Sequence, residues 1–157
     1  MNPKITALDI ANYLGITVQA VHAKKGWEKV GKDRGVLVMR KQVDGSGLLA
    51  FRGEVEEDIP LDILIGTFTD PKQRQHWVDK YHSHTTIKKT PLMEKYWIRF
   101  KLPVIVSDRD YVLESKATID KEKGVIEVNI KSVTDAKYPE DCCVRAEVKR
   151  TYYRFTA

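Results

Sequence analysis

The sequence predicts an α+β domain organised around a curled antiparallel sheet. Three observations carry this. From Trp27 onward one hairpin pattern follows another, each closed by a turn signal. Helical patterns are grouped, before Trp27 and between residues 58 and 81, and do not alternate with strands. In the later strands one face is apolar and the other charged, as in an antiparallel sheet with one wet side.

Residues 5–24 read as helical. Ile5, Leu8, Ile10, Leu14, Val18 and Val21 form an apolar stripe, Thr6 can cap its start, and Gly15 interrupts it. Ala11, Gly15 and Val21 also sit at helix-turn-helix spacing, which would present Gln19, His22, Lys24 and Lys25 to phosphates and base edges. The alternative is an N-terminal helix packed on the sheet, and the absence of a three-helix core favours it.

From Val36 to Val43 the chain alternates around Leu37, Met39 and Lys41. Asp44-Gly45-Ser46-Gly47 then makes a hairpin turn, and Leu49, Phe51, Gly53 and Val55 share a face on the return. Asp58 can cap a helix with Pro60 in its first turn and Leu61, Leu64, Ile65 and Phe68 buried. A second helix runs from Thr69-Asp70-Pro71 to about Tyr81, with Trp77, Val78 and Tyr81 apolar. Strands are expected over 83–90, 93–102, 108–120, 124–134 and 143–155, with a charged turn from Asp120 to Gly124.

The stretch from Tyr96 to Leu113 organises the chain. Tyr96, Ile98 and Phe100 point one way, and Trp97, Arg99 and Lys101 the other. Pro103 stops the ladder because it has no N–H to donate. Val104, Ile105 and Val106 then place three β-branched apolar residues where a loop should be polar. They either pack inward or form an apolar lip at an opening, and the dry face of the sheet favours the lip.

At 157 residues the chain is expected to form one domain over 1–157, with a helical segment over 1–25 and the sheet with its inserted helices over 27–157. No apolar run approaches the ~20 residues of a membrane span. The first residues carry no long apolar stretch of a secretory signal. Cys142 and Cys143 are adjacent, a spacing that pairs with difficulty, so free thiols and a cytoplasmic location are expected. A net charge of +5 says little about partners.

The run Leu102-Pro103-Val104-Ile105-Val106-Ser107-Asp108-Arg109-Asp110-Tyr111-Val112 resembles the Pro-x-x-x-Ser-Asp-Arg-Asp segment of START (StAR-related lipid-transfer) domains. Three further segments match in order. They are Trp27 to Val30 with Gly35 to Val38, then Phe51 to Glu54 with Pro60, Leu61, Asp70 and Trp77, then Val144-Arg145 with Tyr152 to Phe155. The resemblance implies the START-like helix-grip fold of the Bet v 1-like superfamily, lacking that pattern's last strands and C-terminal helix. It also implies a non-enzymatic carrier that binds, and transfers, a lipid or other hydrophobic molecule without a cofactor. The expected interactions are transient membrane contact and self-association through an exposed sheet edge or face. Nucleic acid is not expected as a partner. The alternatives are a DNA-binding regulator through residues 5–25 and a cyclase-like enzyme of the same superfamily.

On this reading the ligand wall is Tyr96, Ile98, Phe100, Tyr111, Leu113, Ile126, Val128 and Ile130, with Trp77 and Tyr81 from the helix side and Arg145 near a polar head group. Pro103, Val104, Ile105 and Val106 form the entrance loop. Arg99 is a second candidate for the head group. The family's cavity arginine has no counterpart, because its position is Ser115 here. His76, His82, His84 and Asp79 are the most metal-like cluster, but a third ligand at a fitting distance is not evident and no metal is expected. Cys142 and Cys143 with His22 or His76 could suggest a nucleophile, but no motif supports it. Tyr111 is a possible proton donor, and no catalytic constellation is assigned. Asp108, Arg109 and Asp110 read as a turn in which an arginine–carboxylate pair holds the strand start.

Overall fold

The structure is a computed structural model that describes residues 26–138 and 142–157. The helix expected over 5–24, and with it the helix-turn-helix spacing, lies outside the described residues. A first ladder joins β1 (Glu28–Asp33), β2 (Val36–Gln42) and β3 (Leu49–Glu54). Helices α1 (Leu61–Thr69) and α2 (Pro71–Trp77) follow. A six-stranded sheet then takes β4 (Tyr81–Thr90), β5 (Met93–Phe100), β6 (Arg109–Asp120), β7 (Val125–Ser132) and β9 (Thr151–Thr156) in that spatial order, with β8 (Val144–Arg145) beside β6.

Local chemistry explains most boundaries. Gly45 takes φ +70° in the β2–β3 turn, where Ser46 N–H donates to Val43 O. Asp70 caps α2 by accepting from Lys72 N–H at 2.9 Å, with Pro71 at the first helical position. Asp120 closes the β6–β7 turn by accepting from the backbone and the ammonium of Lys123.

Several boundaries differ from expectation. Asp58 does not cap α1: Pro60 occupies the cap position and no side chain accepts there, because the helix begins beyond the aspartate's reach. The second helix ends at Trp77, not near Tyr81. Val78 turns extended and Lys80 takes φ 56°, so Tyr81 opens a strand instead. The strand expected over 143–155 is two pieces. β8 runs parallel to the start of β6, and β9 runs antiparallel to β7. The thiols expected to be free are joined as a Cys142–Cys143 disulfide. No helix follows β9 among the described residues.

The register sets the inner face. Tyr96 pairs with Leu113, Ile98 with Tyr111, Ala117 with Val128, and Val128 with Tyr153. Side chains two apart share a face, so Tyr96, Ile98, Tyr111 and Leu113 form one buried cluster with Val148. Val128 and Tyr153 form a second, packed by Phe68, Ala117, Ile126 and Phe155.

Candidate functional site

Between this inner face and α2 lies a cleft of about 990 Å³. Nine of the eleven expected ligand residues line it. Trp77 comes from α2, Tyr81 from the start of β4, Tyr96, Ile98 and Phe100 from β5, Tyr111 and Leu113 from β6, and Val128 and Ile130 from β7. The strand residues among them are mostly buried and form the floor. Phe68 adds an aromatic wall, stacked on Trp77 at 5.5 Å and edge-on to Tyr153 at 4.6 Å. The Trp77 Nε1–H is buried without a hydrogen-bond partner.

Two expected residues fall elsewhere. Ile126 packs on the Val128–Tyr153 cluster and does not line the cleft. Arg145 belongs to the opposite face. Its Nε donates to Asp110 Oδ1 at 2.9 Å and its Nη2 to Asp110 Oδ2 at 2.8 Å, and Trp97 Nε1–H donates to the same carboxylate at 2.8 Å. Asp110 is 1% exposed. Burial alone would raise its carboxyl; the bonds from Arg145 and Trp97 outweigh that and hold it below the usual aspartate range. Arg99 is also committed elsewhere, donating to Asp108 at 2.9 and 2.6 Å. The carboxylates of the Ser-Asp-Arg-Asp turn thus do find arginines, but these are Arg99 and Arg145. Arg109 donates instead to Ser107 O.

The polar chemistry of the cleft sits where the sequence did not point. Glu94 faces Ser115 across β5 and β6, and Arg74 reaches it from α2 at 3.6 Å. His84 Nε2 lies 3.1 Å from Glu94 Oε1, and the Thr86 hydroxyl donates to that oxygen at 2.7 Å. Arg74 also stacks over the Tyr96 ring at 4.7 Å. Burial would raise the Glu94 carboxyl, but hydrogen bonds from His84 and Thr86 and the Arg74 charge bring it down to about 2. Burial pushes the Tyr96 phenol up to about 12. The site therefore holds an ionised carboxylate against a guanidinium inside an otherwise aromatic and aliphatic wall. Ser115 is readable in the sequence; that Arg74, on a helix forty-one positions upstream, comes within 3.6 Å of the Glu94 that faces it is not.

Of the expected metal-like residues, His76 and His82 are exposed and His84 is taken by the Glu94 network. Among the described residues no group of three or more His, Cys, Asp or Glu side chains is placed to hold a metal ion.

The entrance-loop residues do not pack inward. Val104 and Ile105 are fully exposed at 105% and 94%, and Val106 is 41% exposed. Val106 N–H donates to Pro103 O at 2.8 Å, and Asp108 accepts from Leu102 N–H at 3.1 Å, which ties the base of the loop. These residues stand outside the cleft and do not line it.

Comparisons with known proteins bear on the fold. No protein-family model matches the sequence, and no curated protein matches it. Solved structures do match in shape. A fragment of the STAR-related lipid transfer protein from Xanthomonas axonopodis superposes with a TM-score of 0.71 at 23% identity, covering 83% of this chain and 80% of that one. The human StarD13 (DLC2) lipid transfer and protein localization domain gives 0.74 at 19% identity, over 100% of this chain and 76% of that one. Human STARD10 gives 0.75 at 20% identity, over 98% of this chain and 61% of that one, so this chain spans less than two thirds of its length. The chain has the START-like α+β helix-grip fold, with a curved antiparallel sheet that is not closed.

Proposed function

We propose that the chain binds one lipid or similar hydrophobic molecule in the cleft between the sheet and α2, without catalysing a reaction. The observation that carries this is the size and wall of the cleft. About 990 Å³ lies at the upper end of the ~300–1,000 Å³ typical of small-molecule sites. Aromatic and aliphatic side chains supply the floor, and each methylene removed from water contributes roughly 0.8 kcal/mol. Lipid transfer proteins among the structural neighbours support the same reading. The Arg74–Glu94 pair would meet the ligand's polar end.

The exposed Val104–Ile105 tip would touch a membrane during exchange, flanked by Lys101 and Arg109. Pairing of sheet edges, which among the described residues are β1 and β3 of the first ladder and β4 and β9 of the larger sheet, would give self-association. A cytoplasmic location belongs to the same proposal, and with the cysteines bonded it no longer rests on free thiols. The residues that carry the DNA-binding alternative, 5–25, lie outside the described residues.

Native mass spectrometry of the purified protein tests this directly, since it reports a co-purified lipid and the oligomer count together. Leu113 is packed in the core, so a charge there would test folding as much as binding. Ser115 is half-buried and lines the cleft beside Glu94. Ser115→Phe should block uptake of a fluorescent fatty-acyl probe while the unfolding midpoint stays close to that of the parent. Uptake unchanged by the phenylalanine would place the ligand elsewhere.

A further inference from the structure

Arg74, Glu94 and His84 meet beside Tyr96, and their geometry fixes the proton count on His84. Arg74 Nη1 lies 2.5 Å from His84 Nδ1. A guanidinium has only N–H donors, so Nδ1 holds the lone pair and the ring's single proton sits on Nε2. From there it donates to Glu94 Oε1 at 3.1 Å, with Thr86 Oγ1 at 3.2 Å. The ring stacks on Tyr96 at 4.8 Å, and its side chain is 4% exposed.

The groups facing the ring are Arg74 from α2, Glu94 and Tyr96 from β5, and Thr86 from its own strand. Tyr81 lies near enough to Arg74 to feel its charge. Hydrogen bonds from His84 and Thr86 and the Arg74 charge hold the Glu94 carboxyl below the ordinary carboxylate range, and burial pushes the Tyr96 phenol up. Burial pushes the Tyr81 phenol up as well. Histidine is the residue type in this set that changes charge between about pH 5 and 8.

With one proton on His84 the trio sums to zero, one guanidinium against one carboxylate. With two it sums to plus one, and the new Nδ1–H points at Arg74. Glu94 stays on the Nε2 side, so Arg74 gives up its bond to Nδ1 and keeps the 3.6 Å contact with Glu94 Oε2. The open space beside it is the cleft, which it already lines.

We propose that His84 selects the ligand by protonation: the cleft takes an uncharged amphiphile while the ring is neutral, and an anionic one, held by Arg74, once the ring is doubly protonated. This rests on the reading of the cleft as the ligand site.

The test is displacement of the uncharged fluorophore N-phenyl-1-naphthylamine from the full chain. Two competitors of equal chain length serve, 1-tetradecanol and sodium tetradecanesulfonate, the second below its micellar concentration. The sulfonate keeps its charge at every pH used. Between about pH 8 and about pH 5.5 its affinity should rise roughly tenfold, the low end of what one added unit charge a few ångströms away supplies. The alcohol should not change. His84→Gln keeps an acceptor for Arg74 and a donor for Glu94 but cannot titrate, so its sulfonate affinity should stay flat. His82 does not line the cleft, and His82→Gln should keep the rise. A flat sulfonate response in the unaltered chain overturns the selector, whatever the variants do, and so does a rise that persists in His84→Gln. If neither competitor displaces the fluorophore at either pH, the cleft is not the ligand site, and the selector falls with that reading.

Discussion

Asp110→Asn is the substitution that most sharply separates structure from site. The carboxylate is 1% exposed and accepts three bonds, from Trp97 Nε1 and from Nε and Nη2 of Arg145. An asparagine keeps the shape but has one acceptor oxygen, so its NH₂ faces a guanidinium N–H whichever way it turns, and the indole N–H too in one of the two orientations. Removing one partner of a buried pair costs about 3–5 kcal/mol. Arg145 retains a bond to Tyr138 O at 3.0 Å, and its side chain is 16% exposed, which places the expected loss at the low end, about 3 kcal/mol. For a domain of this length that is a fall in Tm of roughly 6–12 °C. Urea unfolding followed by tryptophan fluorescence reads the loss as a shifted midpoint at constant slope. The pH dependence follows in sign. The Asp110 carboxyl is held below its ordinary range in the folded state, so its contribution is present above that range and fades as pH falls through the folded value. A loss under about 1 kcal/mol would refute the reasoning. So would a drop in ligand affinity at unchanged stability, which would return Arg145 to the binding site.

Two further outcomes follow. Glu94 is held down to about 2 from an ordinary value of 4.5, so its stabilising contribution is complete above 4.5 and disappears as pH falls towards 2. The stability difference between the parent and Glu94→Gln should therefore shrink as pH falls from 4.5 towards 2. Parallel acid-unfolding curves would show that the carboxylate is not held by its neighbours. Val104→Asp with Ile105→Asp should weaken sedimentation with lipid vesicles while stability changes by no more than about 0.5 kcal/mol, since both side chains are already in water. Undiminished sedimentation would remove the membrane role of the tip.

The dry face of the sheet was legible because its signal is local. Alternation in Tyr96-Trp97-Ile98-Arg99-Phe100 fixes which side chains share a side, whatever the strand later pairs with. The same holds for Asp70 before Pro71, where cap and first turn are neighbours in sequence. Arg145 was misassigned for the converse reason. Its side is set by a two-residue parallel pairing with β6, and the partner that claims it, Asp110, lies 35 positions away. The end of α2 was misplaced because Trp77, Val78 and Tyr81 keep an apolar rhythm through a turn that only a positive φ at Lys80 reveals.

The sequence by itself determined the class of fold and the apolar face, since both follow from periodicity, while the exposure of the tip after Pro103 was one of two outcomes it allowed. The tertiary structure alone decided the charge inside the cleft. Arg74, His84 and Glu94 lie on a helix and two strands, and no spacing along the chain encodes that they meet. Desolvation makes an unpaired charge too costly there, so burial itself demands the partnership that the one-dimensional pattern leaves unstated.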